Sequence, residues 1–404
     1  MKRKLRSVIM LSVLCSLAPL MPLFAGCGAS SSPPAPRDLS YASTERAIAE
    51  ILERHRVVTA GLGILRSGDL VWEGYFGEQS PGVPATADTR FNVASITKTL
   101  AAETILRLAG QGKLSLDESM AAFWVDPDLA GDERQRRLTP RMALAHTTGF
   151  PNWRFFLPGG KLALLHPPGE RYGYSGEGLE YVARFAERKL GKPFPQLAAE
   201  TVLEPLGMKN TLLVVDRAAA AKLARPVDEE GKFPGYYCRP EGAGWCRPEG
   251  SWSAADDMTT TVRDYAAFLD SVARSGGYGP ELAADRDRVQ ADKGKDRVVD
   301  CATDRAVMPA LSCPDSQGYG LGFNVLRYGE QTVLGHGGAD WSELAIAYIS
   351  KPSREGLIVF LNAPNRRALA AMPELLELIE PASPFLPEFR RWLAEARTRE
   401  AASP

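Results

Sequence analysis

Histidine is scarce in this chain: His55, His146, His166 and His336 are the only four in 404 residues. They do not fall into ligand spacing with one another or with the cysteines, so a zinc site is disfavoured and no metal or other cofactor is expected. Net charge is nearly absent too, since 48 Lys+Arg against 49 Asp+Glu leave -1. No chain-wide field exists to draw in nucleic acid or an anionic membrane surface, so a nucleic-acid partner is without support. No internal repeat is visible. What remains is an ordinary globular composition, 45% hydrophobic and 24% charged, enough to bury one large core or two unequal ones.

The N-terminus is unlike the rest. MKRKLR is a basic start, and the apolar run over residues 7–24 ends in Ala25-Gly26-Cys27. The run barely reaches the roughly 18 apolar residues needed to span a bilayer, and Pro19 and Pro22 interrupt its end, so residues 1–26 read as an export signal. Small residues directly before a cysteine resemble the bacterial lipobox, which implies a lipid on Cys27, although Phe24 stands where Leu is usual. Gly28, where Asp retains many lipoproteins at the inner membrane, implies an outer-membrane anchor facing the periplasm if the source is Gram-negative. Residues 27–42, rich in Ser and Pro, should be a flexible tether. Cys238, Cys246, Cys301 and Cys313 are then left in an oxidising compartment. Cys238–Cys246 and Cys301–Cys313 are the expected disulfides, with the two other pairings open because spacing does not fix connectivity.

Further along, residues 43–56 carry Ala47, Ile48, Ile51 and Leu52 at helical spacing. VVTAGLGILR and LVWEGYFG, separated by Ser67-Gly68-Asp69, read as a strand pair; TVLGHGG, ELAIAYIS and GLIVFLN are strand-like near the other end. Between them, helical patterns dominate residues 101–275 (TLAAETILRLAGQGK, LEYVARFAERKL, FPQLAAETVLEPLG, TVRDYAAFLDSVARSG). The expected fold is therefore α+β, an α/β sandwich whose antiparallel sheet comes from residues 43–100 and 316–380 and carries a mostly helical insertion. Helices over 373–379 and 385–397 should pack on that sheet, with residues 381–404 forming a C-terminal helix and tail. Residues 280–315 are charged and carry no assignable element.

Ser95 stands at the start of one helical run, with Lys98 three residues on, so hydroxyl and amine share a face. A helix N-terminus adds partial positive charge where an alkoxide or oxyanion forms. Ser-x-x-Lys alone is weak, because about one match is expected by chance in a chain this rich in serine; here it is the only one. Four more segments add to it, so that FNVASITK, LAHTTGFP, YSG, LEPLGMKNT and GHGG occur in that order from Phe91 to Gly338. Together they resemble the penicillin-recognising serine hydrolases: class C β-lactamases, DD-peptidases and related serine esterases. FNVASITK resembles the first motif, LAHTTGFP a recurrent loop, YSG the place of Tyr-x-Asn, LEPLGMKNT a common helix end and GHGG the place of Lys-Thr-Gly. The order is the family's own, which implies a β-lactamase/transpeptidase-like domain over residues 43–380.

The resemblance implies roles residue by residue. Ser95 is the nucleophile, Lys98 the proton shuttle and Tyr174 the general base, since a phenol beside an ammonium is drawn toward phenolate. Tyr172, two residues earlier, is the competitor. The N–H groups of Ser95 and Ala339 are the expected oxyanion hole, with His336, Gly337 and Gly338 forming the substrate-binding strand. His146 is declined as a triad base, because the resemblance gives its loop a structural role. Trp153 and Trp341 are either pocket-lining or packing residues.

Two positions depart from the family pattern. Gly176 replaces an asparagine whose amide helps hold the lysine and the substrate's amide, and Glu177 could compensate only by a different geometry. His336 replaces a lysine that helps hold a substrate carboxylate, and a mostly neutral imidazole should do this less well. Ester or D-amino-acid peptide hydrolysis is therefore expected over β-lactamase action. β-Lactamase proper and a non-catalytic cell-envelope binding lipoprotein are the alternatives. The expected partners are a small-molecule or peptide substrate and, through the lipid, a membrane; the expected state is a monomer.

Overall fold

A computed structural model of the protein describes residues 41–240 and 245–402. The candidate signal segment, Cys27 and the tether as far as Ser40 lie outside the described residues.

Short apolar runs at the two ends of the chain build one sheet, whose central strands are buried on both faces. β1 (Thr59–Arg66) and β2 (Asp69–Ser80) turn back at Ser67–Gly68, and β3 (Val83–Pro84) adds an edge. β4 (Phe91–Asn92) leaves the sheet to pair with β5 (Thr259–Thr260). β6 (Ser316–Tyr319), β7 (Asn324–Tyr328), β8 (Gln331–Asp340), β9 (Glu343–Lys351) and β10 (Gly356–Asn362) complete an eight-stranded sheet in the order β3-β2-β1-β10-β9-β8-β7-β6. Its pairings are antiparallel, and the two ends of the chain meet where β1 lies beside β10, Thr59 opposite Asn362.

Helices cover both faces. In chain order they are α1 (Tyr41–Arg54), α2 (Thr97–Gly110), α3 (Pro140–Leu144), α4 (Gly176–Leu190), α5 (Phe194–Ala198), α6 (Val262–Arg274), α7 (Pro280–Arg286), α8 (Cys301–Val307), α9 (Asn365–Ile379) and α10 (Leu386–Ala402). One face of the sheet sends Leu62, Val359 and Leu361 against Ile48 of α1, Leu375 of α9 and Phe389 of α10. The other sends Ile358, Phe360 and Ala347 into a larger core with Leu100 of α2, Phe185 of α4 and Phe268 of α6. This is an α/β/α sandwich of the α+β class, and each such buried Leu or Phe stabilises it by about 1.5–3 kcal/mol. Among the described residues no helix is long and apolar enough to cross a membrane.

Three segments differ from the sequence reading. The helix expected through residues 194–207 stops at Ala198 and passes into a wide π turn at Ala199–Leu203. There the Thr201 hydroxyl donates to the Leu197 carbonyl at 2.6 Å and the Arg107 guanidinium takes the Thr201 carbonyl at 3.0 Å, groups that compete with the regular ladder. α9 begins at Asn365, eight residues before Pro373, because buried Ala368, Leu369 and Met372 extend its apolar face. The tether gives way to α1 at Tyr41. Residues 280–315 hold α7, α8 and the disulfide Cys301–Cys313; the second disulfide is Cys238–Cys246.

Candidate active site

Phe91 and Asn92 pair with Thr260 and Thr259, which fixes the chain entering α2. Asn92 Oδ1 then accepts from the Ala94 N–H at 2.9 Å, and Ala94 is held in the left-handed region at φ 45°. Such a conformation is costly for alanine and persists where surrounding contacts impose it. It sets Ser95 on a 3₁₀ turn (Ala94–Ile96) immediately before α2, half-buried, with Lys98 on the first turn of the helix. Lys98 is almost fully buried, and its Nζ donates to Ser95 Oγ at 3.0 Å and to the Ala255 carbonyl at 2.9 Å. The amine is thereby aimed from both sides.

Tyr174 is the next group against that amine, its ring centre 4.9 Å from Lys98 Nζ. The loop holding it is clamped by His146. The His146 carbonyl accepts from Gly173 N–H at 2.8 Å, and His146 Nδ1 accepts from Ser175 N–H at 3.2 Å. Ser175 in turn caps α4, its Oγ accepting from Gly178 N–H at 3.0 Å. Burial first, and then the Lys98 charge, push His146 well below the usual imidazole range. Neutral, and with Nδ1 accepting, it carries its proton on Nε2. Tyr172, the competing phenol, packs on His146 and Tyr319 instead of Lys98, and burial raises its pKa.

β8 brings up the far wall. A Cβ on Gly338 would stand 2.1 Å from the Val93 carbonyl oxygen and 3.2 Å from Ile96 N, so glycine lets the strand lie directly against the Ala94–Ile96 turn. Exposed Ala339 follows it. His336 is buried, and burial together with Lys98 pushes its pKa down to about 3. Its Nδ1 faces the Gly337 carbonyl at 2.5 Å, which only accepts, so Nδ1 carries the proton and buried Nε2 is left a lone pair. A neutral, inward-turned imidazole carries no charge for a substrate carboxylate.

Gly176 has a physical reason that sequence reasoning missed. A Cβ there would meet the Trp153 ring at 2.6–2.9 Å, and that ring lies 5.9 Å from Lys98 Nζ. Trp153 thus stands where a longer side chain at position 176 would point. Glu177, considered as a substitute, is engaged elsewhere: Arg154 grips its carboxylate through Nε and Nη2 at 2.8–3.1 Å and reaches Asp126 at 2.8 Å. Trp341 is half-buried on the turn after β8, and its carbonyl accepts from Asn365 N–H at 3.0 Å.

Ala255, also missed by sequence reasoning, belongs to a loop locked by Glu180. The half-buried Glu180 carboxylate accepts from Ser253 Oγ at 2.5 Å and Ala254 N–H at 2.9 Å. No motif signals a backbone acceptor 157 residues from its donor.

The family model described as Beta-lactamase matches residues 44–378. A β-lactamase of Lysobacter lactamgenus is 23% identical over 263 residues, 61% of this chain and 64% of its own, so the chain spans just under two thirds of that relative's length. Esterase EstB of Burkholderia gladioli is 26% identical over 285 residues, 59% of this chain and 71% of its own. The structure of the D-amino acid amidase from Ochrobactrum anthropi SV3 complexed with D-phenylalanine shares the fold with a TM-score of 0.62 at 19% identity, over 84% of this chain and 99% of that one.

Proposed function

The chain belongs to the Beta-lactamase family, and from that premise we propose that it is a serine hydrolase working through an acyl-enzyme on ester or D-amino-acid peptide-type substrates. The carrying observation is that Lys98 Nζ lies 3.0 Å from Ser95 Oγ while the Ala255 carbonyl fixes it at 2.9 Å. Ser95 Oγ bonds to the substrate carbonyl carbon, and its proton passes to Lys98 and Tyr174. The oxyanion accepts from the N–H groups of Ser95 and Ala339. The carbon–heteroatom bond then breaks as Tyr174 returns the proton to the leaving alcohol or amine. Water, deprotonated by the same pair, repeats the sequence and releases the acid.

Esters and D-amino peptides rank above β-lactams because neither Gly176 nor His336 offers the amide or the charge described for the family. The reading extends to export, a lipid on Cys27, an outer-membrane anchor and a monomer; the intact mass of the mature protein tests the first two. Labelling by a fluorophosphonate, with turnover of aryl esters, D-alanyl peptides and nitrocefin, tests the chemistry. Label and ester or peptide turnover should both vanish in Ser95→Ala. An unlabelled wild type would leave the fold as a non-catalytic binding lipoprotein, and fast nitrocefin turnover with esters ignored would restore β-lactamase action.

A further inference from the structure

The segment that displaces a side chain from position 176 is built to stay where it is. Asn152, before Trp153, accepts through its carbonyl from the N–H groups of Gly176 and Glu177 at 3.0 and 3.1 Å, and through Oδ1 from Gly176 N–H at 3.0 Å. Arg154, after it, is tied to Glu177, Asp126 and Asp128. Trp153 is therefore pinned from both flanks against the start of α4. From its ring, 5.9 Å from Lys98 Nζ, an aromatic row runs outward: Phe155 stacks on Trp153 at 5.8 Å and 12°, and Phe156 meets Phe155 edge-on at 4.6 Å. Phe155 and Phe156 are 61% and 67% exposed. Contiguous exposed aromatic surface beginning at a nucleophile's lysine marks a place for a ligand.

Arginines on the Trp153 segment and beside the Ala339 and Ala255 segments are already matched. Arg154 holds three carboxylates, Arg239 is paired with Asp340, and Arg247 with Asp256 and Asp257. Lys98 is shared between Ser95 and Ala255. A substrate carboxylate placed beside these rings would lose water and gain no partner among these cations.

We propose that Trp153 and Phe155 are specificity-determining residues, forming an apolar wall that selects uncharged esters bearing an apolar or aromatic group next to the scissile bond. The inference rests on the serine-hydrolase reading above. The apolar group can belong to the acid or to the alcohol, and two substrate series separate these: p-nitrophenyl acetate to hexanoate, and ethyl acetate to phenylethyl acetate. One methylene in an apolar pocket changes kcat/KM by about 10- to 200-fold. In at least one series wild type should therefore favour the larger ester by about tenfold or more, whichever series shows it identifying the side. That preference should collapse in Trp153→Ala, weaken in Phe155→Ala and return in Trp153→Phe.

Gly176→Asn keeps the tryptophan but drives its ring aside, and should lose the same preference. The p-nitrophenyl monoester of succinic acid should trail the valerate by about tenfold or more. Equal preferences in wild type, Trp153→Ala and Gly176→Asn, or a succinate ester turned over as well as the valerate, would overturn the inference. Wild type inert toward every ester, or Ser95→Ala retaining the activity, is a different result; it removes the serine-hydrolase reading, and the wall with it.

Discussion

Gly338→Ala is the sharpest test of how β8 serves the proposed nucleophile. The added Cβ would sit 2.1 Å from the Val93 carbonyl oxygen, which is backbone and has no rotamer to change. Relieving that overlap to an ordinary contact requires the strand and the turn to part by about 1 Å. Ala339, the next residue on the strand, carries one of the two proposed oxyanion donors, so its N–H moves by a similar amount. A misplacement of about 1 Å costs about 100-fold in rate. That is about 2.7 kcal/mol, the lower end of the loss for one such donor. Because the donor acts on charge developed in the transition state, kcat on an aryl ester should fall about 100-fold while KM moves little. Steady-state kinetics supply the ratio, and a thermal melt checks that the sandwich survives. A folded Gly338→Ala enzyme with kcat within about threefold of wild type would refute the assignment of this strand.

Arg154→Ala should leave buried Glu177 and Asp126 without their cation and cost about 2–3 kcal/mol by urea unfolding, tempered because Arg154 is itself partly exposed. Glu180 supplies a pH test. Burial pushes its carboxyl up to about 7, so between 4.5 and 7 the folded state binds more protons than the unfolded one. The associated stability is present below about pH 4.5 and is lost as pH rises toward 7, and Glu180→Gln should flatten that part of a pH–stability curve. His336 works with the opposite sign: its pKa is lowered to about 3, so its contribution stands above about pH 6.5 and is lost as pH falls, and His336→Asn should soften the acid limb. Replacing Cys238 and Cys246 with serine opens a loop with a sequence separation of 8, worth about 2.5 kcal/mol on chain entropy, and denaturant melts of the double variant should fall by that order.

Much of the fold was readable because its signals are local. Short apolar runs rich in β-branched and aromatic residues mark β1, β2, β9 and β10, and period-3.6 stripes mark α1, α2, α4 and α6, so a sheet drawn from both ends followed from their order along the chain. Residues 280–315 stayed unread because their order depends on distant partners. Arg286 is completely buried by Glu103, 183 residues away, together with Asp287 and the Val272 carbonyl. Lys293 is buried against Asn324, and Asp304 is held by Arg391. A charged segment that folds by burying its charges in pairs has the composition of a solvated loop, and no periodicity announces it.

The site divides along the same line. Its proposed reagents, Ser95, Lys98 and Tyr174, sit in short motifs, whereas their settings come from the Ala255 carbonyl, the His146 clamp and the close passage of Gly338. Gly176 makes the difference concrete. In the sequence it reads as a side chain lost, with Glu177 the nearest replacement. In the structure the space is filled by Trp153, 23 residues earlier, and Glu177 is the carboxylate that anchors Arg154 and keeps the indole in place. Position 176 and Trp153 are therefore one steric unit. Adding asparagine at 176 alone should overpack the site, whereas Gly176→Asn with Trp153→Ala should restore the room an amide needs, so the two substitutions should be strongly non-additive in any activity on amide-bearing substrates.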